Sequence, residues 1–474
     1  MASRNADTSA VRRAAELATA FLETIDDRAV GAAADAAVLR AAIDGPLPEH
    51  GVDPVAVIEQ LARDADPGLV AMAGPRYFGF VIGGHHPAAL AADWLTSTWD
   101  QNVGLYVGGP SPTIFEETAG RWMLDILGLP PTASSGFVTG AMMANFTGIA
   151  AARHGLLARA GWDVERQGLY GAPVLDVVIG EEAHATIRLA LQYLGLGRER
   201  VHLVPTDEQG RMRAGALPAI LDACPGPVLV CAQAGNVNTG AFDPFNAIAD
   251  LVKAREDSWL HVDGAFGLWA AASPAFAGLV AGADRADSWG TDAHKWLNVP
   301  YDCGFVATTD PAAHRAAMTI AAAYLIQDTG QRDGMDWTPE FSRRGRGVPV
   351  YAVLRALGRD GVRELVERCC TVASRMAASL GAEPGVTILN EVVLDQVLVR
   401  FARPGESDAA GDARTKAVID AVQRDGTCWL SGTTWHGLGA MRISVVNWAT
   451  TIEDGDRSVD AIVRAARSVG DVPG

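Results

Sequence analysis

The sequence predicts an α/β protein with a mostly parallel sheet, preceded by a helical segment and followed by a smaller α+β domain. Between about residues 135 and 310, short β-rich runs alternate with stretches of helical periodicity. These runs are apolar almost throughout, which is typical of strands that helices cover on both faces of a parallel sheet. After about residue 350 the order changes to helix, strand, helix and strand, which indicates a separate, smaller unit.

Composition and charge favour a folded protein that binds neither nucleic acid nor membrane. Of the 474 residues, 49% are hydrophobic and 20% are charged, which is the balance of a globular protein. The net charge of −17 argues against a nucleic-acid surface, which normally needs a basic face. The N-terminus has no apolar core of a signal peptide, and runs such as residues 227–234 are far shorter than a membrane span. We therefore expect a soluble, cytoplasmic protein.

The cysteines favour a reducing compartment and no metal site. None of the six forms a CxxC pair or stands at zinc-finger spacing. So few thiols in a chain of this length also make a disulfide framework improbable. They are Cys224, Cys231, Cys303, Cys369, Cys370 and Cys428.

Three segments are predicted along the chain. Residues 1–73 are Ala-rich with helical periodicity and form an N-terminal helical segment without visible chemistry. The Gly/Pro/His-rich run over residues 74–87 breaks this periodicity and begins a large domain, 74–349. The small C-terminal domain covers 350–474 and contains the predicted strands VLDQVLVRF and AMRISVVN.

Within the large domain, four apolar runs are predicted as strands. They are LDVVIG (175–180), RVHLVP (200–205), PVLVCAQA (227–234) and WLHVDGAF (259–266). Helices are predicted over 184–193 and 245–255. Earlier, GFVTGAMMAN (136–145) reads as a strand end, a Gly turn and the start of a helix that continues to residue 153.

Asp263 and Lys295 are the two residues that indicate the chemistry of the site. Ligands of open parallel sheets bind at the carboxyl ends of the strands, where Asp263 closes one apolar run. An aspartate at a strand end is often structural, and a lysine such as Lys295 is usually just solvated. Together they are the pair that pyridoxal 5′-phosphate (PLP) requires, a lysine for the Schiff base and an acid for the pyridinium nitrogen. The Gly turn before a helix adds backbone N–H groups for a phosphate.

Six motifs in order resemble the group II PLP-dependent amino acid decarboxylases, the family of aromatic-L-amino-acid and glutamate decarboxylases. The motifs are EEAHATIRLALQYLGLG, GNVNTGAFDP, HVDGAFG, DAHKWLNVPYDCG, SRRGRG and MRISVVNWATTIED, within about residues 76–466. The resemblance implies the aspartate aminotransferase fold (fold type I) and a homodimer whose active sites take residues from both subunits. It also implies decarboxylation of an L-amino acid to the amine and CO2, a reaction of amino acid metabolism.

The same resemblance implies a role for each site residue. Lys295 would form the Schiff base, Asp263 would pair with the pyridine nitrogen, and His184 would stack on the ring near the substrate carboxylate. Further cofactor contacts would come from Ala265, Ala141, Met142, Asp292, His294 and Asn236. Simpler interpretations stay open, since both histidines could be structural and Asn236 could serve only its own turn.

An aromatic substrate is predicted from a cluster of aromatic residues in the segment that contacts substrate in this family. The predicted pocket residues are Tyr77, Phe78, Trp99 and Tyr106, with Trp94 beside them. Core packing is the simpler interpretation for at least two of them. Arg442 could hold a carboxylate, or it could belong to a buried ion pair.

Two positions depart from the family pattern. Met142 stands where the phosphate turn usually has a serine, so backbone N–H groups, Thr139 or a second subunit would have to compensate. The loop over 326–341, IQDTGQRDGMDWTPEF, has no tyrosine, and alignment on Trp337 puts Gly334 at the position of the proton-donating tyrosine. Lys295, His184 or Tyr324 would then supply the proton.

The missing tyrosine keeps other reactions open. Family members without it can give an aldehyde, ammonia and peroxide through reaction with oxygen, so an aromatic aldehyde synthase is the second hypothesis. Another carbanion reaction, such as retro-aldol cleavage or transamination, is a third. A catalytically silent PLP-fold protein is disfavoured because Lys295, Asp263 and His184 are all present.

Overall fold

The computed structural model describes residues 8–319 and 330–470. The helices are α1 (Ser9–Thr24), α2 (Ala36–Ile43), α3 (Pro54–Ala65), α4 (Pro87–Trp99), α5 (Pro110–Ile126), α6 (Ala141–Arg159), α7 (Val164–Gln167), α8 (Ala185–Tyr193), α9 (Leu217–Asp222), α10 (Phe245–Lys253), α11 (Pro311–Met318), α12 (Gly347–Gly381), α13 (Asp408–Asp425) and α14 (Ile452–Ser468). The strands are β1 (Ser134–Val138), β2 (Asp176–Gly180), β3 (His202–Val204), β4 (Val228–Gln233), β5 (Ser258–Asp263), β6 (Ser288–Asp292), β7 (Gly304–Thr308), β8 (Val386–Ile388), β9 (Gln396–Phe401), β10 (Ser431–Trp435) and β11 (Leu438–Ser444).

The large sheet has seven strands in the order β1-β7-β6-β5-β4-β2-β3. Only β7 runs against its neighbours β1 and β6, and the other pairings are parallel. Every residue of β4, β5, β6 and β7 is buried. This explains their continuous apolar character, because each strand faces a helical layer on both sides.

The small C-terminal sheet is antiparallel, in the order β10-β11-β9-β8. α12 connects the two sheets and is bent at Gly358, whose φ of +62° lies in the left-handed region that favours glycine. α12 packs against α4, α5 and α14 and so joins the two parts of the chain.

The predicted fold class is confirmed, with element ends that shift by a few residues. The strand predicted over 259–266 ends at Asp263, which leaves residues 264–266 free to turn back over the sheet edge. The predicted domain limits remain predictions. Residues near the first limit bind the small domain, since Phe78 N–H donates to the Trp429 carbonyl over 2.8 Å. Among the described residues, no helix combines the length and apolarity that crossing a membrane requires.

Candidate active site

Strand ends bring the predicted catalytic residues to one edge of the large sheet. Asp263 ends β5, Asp292 ends β6, and Lys295 follows three residues later. His184 is the N-cap of α8, which follows β2, and α6 begins three residues after the end of β1. These ends surround a cavity of about 310 Å³. Eight of the nine predicted cofactor residues line it: Lys295, Asp263, His184, Ala265, Ala141, Met142, Asp292 and His294.

Lys295 and the start of α6 meet at Asp292. Lys295 Nζ lies 2.9 Å from Asp292 Oδ2, and the side chain is only 20% exposed. The other carboxylate oxygen accepts the Ala141 N–H at 2.5 Å. Asp292 therefore positions the lysine against the positive end of a 19-residue helix.

The start of α6 fits an anionic group. Gly140 precedes the helix, and a Cβ there would lie 3.1 Å from His294 Cε1, so the chain passes close to the histidine. The N–H groups of Met142 and Met143, in the first turn, have no acceptor inside the helix. Both residues line the cavity, so backbone donors are available where the family pattern has a serine hydroxyl.

Asp263 is a buried carboxyl group that also lines the cavity. It is 4% exposed, and Oδ1 accepts the Ala265 N–H at 3.3 Å. Burial raises the pKa of Asp263, while the nearby His184 and Lys295 act against this shift. The charge of Lys295 thus favours the ionised form that a protonated pyridine nitrogen requires.

His184 is held by one ring nitrogen, which leaves the other for a ligand. Nδ1 lies 2.8 Å from Thr186 Oγ1, and the His184 N–H donates to Gln233 Oε1 at 3.2 Å. Burial lowers the pKa of the imidazole, and the charges of Lys295 and Arg442 lower it further. A neutral ring with a free Nε2 can stack on a cofactor and orient a substrate.

Sequence reasoning missed Thr186, Gln233 and Phe266, which also line the cavity. Gln233 could have been predicted in part from the sequence, because it lies near the end of a predicted strand. In the structure it ends β4 directly opposite Asp263 in the neighbouring strand. Thr186 stands two residues after His184 inside a recognised motif. Phe266 lies in the turn after β5, for which periodicity carries no signal.

Asn236 lies outside the cavity and serves its own turn. Its Oδ1 accepts the N–H groups of Asn238, at 2.9 Å, and of Thr239, at 3.2 Å. This is the turn interpretation that the sequence left open.

The predicted substrate aromatics do not line the cavity around Lys295 within the described residues. Tyr77 is buried and stacks on Trp429 with ring centroids 5.0 Å apart, and Phe78 belongs to the core. Trp99 is 43% exposed, and Tyr106 is half-buried, with its N–H on Asp333.

Arg442 lies beside this site without an ion pair to any described residue. The residue is 9% exposed, and Nη1 reaches only the Asn238 side-chain oxygen, at 3.4 Å. Nε is buried without a hydrogen-bond partner. Its charge acts on His184, so the guanidinium is available to an acidic group at the site.

The loop that departs from the family pattern is only partly described, and Tyr324 lies outside the described residues. Gly334 is buried and lines a second cavity of about 200 Å³ with Glu116 and Arg343. A Cβ at Gly334 would lie 2.3 Å from the Val103 carbonyl oxygen. The backbone here has no room for a larger residue.

A possible set of metal ligands lies elsewhere. Ligand atoms of Asp176, His202 and Cys224 lie within 4.8 Å of one another near the start of β2. His202 Nε2 contacts Asp176 Oδ1 at 3.0 Å, and Cys224 Sγ donates to the Ile220 carbonyl. Each group thus has a protein partner.

Comparisons with known proteins match most of this chain. The profile of the pyridoxal-dependent decarboxylase conserved domain matches residues 37–402. An aromatic-L-amino-acid decarboxylase of Bacillus atrophaeus is 28% identical over 453 residues, which cover 93% of this chain and 92% of that protein. An L-2,4-diaminobutyrate decarboxylase of Rhizobium meliloti is 29% identical over 449 residues, 91% of this chain and 86% of that one.

A solved structure shows the same fold. The structure of Oryza sativa TDC with PLP and tryptamine superimposes with a TM-score of 0.91 at 20% identity and covers 98% of this chain and 99% of its own. The likeness extends over both the large and the small sheets.

Proposed function

This chain belongs to the pyridoxal-dependent decarboxylase family, a PLP-dependent carboxy-lyase family, and we propose that its substrate is an aromatic L-amino acid. The products would be the amine and CO2. PLP would be bound covalently to Lys295.

One observation carries the proposal: Lys295, Asp263 and His184 line a single cavity beside the start of α6. A primary amine, a buried carboxyl group, a neutral imidazole and helix N–H groups are the set that holds an aromatic aldehyde phosphate. The residues present therefore fit PLP.

Bound PLP supplies an electron sink that stabilises the negative charge left when CO2 departs. The chain's own residues would do the rest. Lys295 would anchor the cofactor, and Asp263 would hold a proton on its ring nitrogen. His184 would orient the substrate carboxylate through Nε2, and Asp292 would keep Lys295 in place. Lys295 or His184 would return a proton to the substrate carbon.

The aromatic substrate is supported by one relative, an aromatic-L-amino-acid decarboxylase. The diaminobutyrate decarboxylase, equally similar, shows that the scaffold also accommodates a basic substrate. The buried, unpaired Arg442 would suit a substrate with a negatively charged group.

A panel of the twenty amino acids tests the reaction. The PLP-loaded protein is incubated with each of them in air and without oxygen, while CO2, amine, aldehyde, ammonia and peroxide are measured. Equal amounts of amine and CO2 from aromatic substrates, independent of oxygen, are expected. Turnover of only non-aromatic substrates would overturn the proposed specificity.

Borohydride reduction tests the anchor. Reduction followed by peptide mass spectrometry should place the cofactor on Lys295, and Lys295→Ala should lose both this adduct and the activity. Cofactor attached to another lysine would contradict the assignment.

An oxygen-dependent aromatic aldehyde synthase is the second candidate. It is favoured by Gly334 at the tyrosine position and by the absence of tyrosine from residues 326–341. A carbanion that is not promptly protonated stays available for oxidation. Aldehyde and peroxide that disappear without oxygen would establish this reaction in the panel experiment.

We further propose a cytoplasmic homodimer. Exposed apolar side chains on the N-terminal helices support self-association, among them Val11, Val38 and Leu61, each more than half exposed. The proposed domains are the N-terminal segment 1–73, the large domain 74–349 and the small domain 350–474.

A further inference from the structure

A chain of buried hydrogen bonds runs behind Asp263, between α6 and the sheet. Trp259 and His261 alternate with Asp263 along β5 and share its face. Ser288 Oγ lies 2.9 Å from Trp259 Nε1 and 2.8 Å from His261 Nδ1. His261 Nε2 lies 3.0 Å from Asn145 Oδ1. We call Trp259, Ser288, His261 and Asn145 the buried relay.

Chemistry fixes the direction of each hydrogen bond in the relay, starting from Trp259, the member farthest from the Asn145 end. An indole N–H can only donate, so Ser288 Oγ accepts from Trp259. With His261 Nε2 facing the Asn145 amide oxygen, Nδ1 is the acceptor of the ring, and the Ser288 O–H donates to it. Burial lowers the pKa of His261 to about 3, so the ring is neutral and carries its single proton on Nε2. That proton is donated to Asn145 Oδ1.

This leaves the amide donor of Asn145 to face Asp263. With Oδ1 occupied by His261, Nδ2 is the end left over, and it is buried without a hydrogen-bond partner. The Asn145 side chain lowers the pKa of Asp263, against the effect of burial. A reversed Asn145 would instead place its oxygen against the carboxylate.

Two glycines leave the space that this arrangement needs. A Cβ at Gly148 of α6 would lie 2.9 Å from His261 Cε1, and one at Gly290 of β6 would lie 2.4 Å from Asn145 Oδ1. Any side chain at either position would displace a relay member. The helix and the neighbouring strand are therefore shaped around His261 and Asn145.

We propose that Ser288, His261 and Asn145 are positioning residues that keep Asp263 ionised and thereby keep a proton on the ring nitrogen of bound PLP. The proposal rests on the proposed role of Asp263 as the partner of that nitrogen. None of the relay residues is more than 2% exposed. Asp263, whose pKa the Asn145 side chain lowers, lines the cavity, so the effect of the relay is delivered there.

The test measures the 15N chemical shift of PLP labelled at its ring nitrogen, together with the dissociation constant of PLP and the Tm of the apoprotein. Asn145→Leu and His261→Leu should move the shift towards the unprotonated value and weaken PLP binding about 3- to 10-fold, the effect of losing one hydrogen bond. Ser288→Ala, a smaller change in case the others do not fold, should move it in the same direction.

His314→Leu is the matched control. His314 is equally buried, its pKa is also lowered by burial to about 3, and it contacts Ser134 Oγ and the Trp337 carbonyl, away from Asp263. It should lower Tm but leave the 15N shift and the PLP dissociation constant unchanged.

The outcomes separate the two proposals. A relay variant with the wild-type shift and affinity but a lowered Tm, like His314→Leu, would show that the relay only packs the core. An unprotonated ring nitrogen in the wild type, or one unaffected by Asp263→Asn, would instead overturn the role of Asp263 itself.

Discussion

Arg442 is a buried residue whose positive charge is not balanced by a carboxylate of any described residue. It is buried, its pKa is lowered by burial, and none of the described residues forms an ion pair with it. Burying an unpaired guanidinium is costly, so we expect a ligand to offset that cost by contributing a carboxylate.

Arg442→Gln should therefore raise KM about 10- to 100-fold, as expected for loss of a charged hydrogen bond, with a smaller change in kcat. Steady-state kinetics with the best substrate measures this. Arg400→Gln is the control, because Arg400 is equally buried in the same sheet but ion-paired with Asp412. An unchanged KM in Arg442→Gln would assign the arginine to packing alone.

Asp395 is a second buried residue, and its titration makes the stability of the fold depend on pH. Gln396 Nε2 donates to Oδ2 at 3.0 Å, while Oδ1 is buried without a partner. Burial raises the pKa of Asp395 to about 7. Between about pH 4 and 7 the unfolded chain releases this proton and the folded chain keeps it, so the contribution of Asp395 to stability is lost as pH rises.

Asp395→Asn stays neutral at every pH and should remove this loss. The free energy of unfolding, measured by denaturant titration from acid to neutral pH, should fall less steeply in the variant, by about 1.4 kcal/mol for each unit of the pKa difference. Parallel curves for variant and wild type would contradict the assignment.

At the scale of elements, the short helical turn at Gly334–Asp336 limits which side chains fit at position 334 of the loop. Restoring a tyrosine at position 334 should not convert an aldehyde product into amine, since its Cβ would meet the Val103 carbonyl oxygen. Gly334→Tyr should instead destabilise the fold by about 3 kcal/mol, as overpacked sites do.

Gly334→Ala tests whether the Cβ atom alone causes this loss of stability. Because the clash is with Cβ, the alanine variant should lose most of the same stability in thermal unfolding. A stable Gly334→Tyr variant with a larger fraction of amine would refute this account.

At the scale of the whole molecule, the N-terminal helices leave apolar side chains on the surface. Val38 is 55% exposed and Leu61 is 63% exposed, and burying them against a second copy would be favourable. We expect a dimer in sedimentation velocity and a shift towards monomer in the double variant Val38→Glu/Leu61→Glu. Tyr170→Glu, at a position that is 98% exposed on the large domain, should leave assembly unchanged. Identical sedimentation of all three proteins would exclude α2 and α3 from the interface.

The sequence by itself determined the alternation of strands and helices and the cofactor, and eight of the nine residues predicted to bind the cofactor line the cavity. Periodicity and motif spacing are local properties of the chain, and parallel strands bring their carboxyl ends to one edge. Only the tertiary structure decided that Asn236 serves its turn, that Tyr77 stacks on Trp429, and that Thr186 and Gln233 hold His184. It alone joined Asn145 to His261, which stand 116 positions apart. Such contacts leave no local pattern, because they depend on packing a helix against strands from distant parts of the chain.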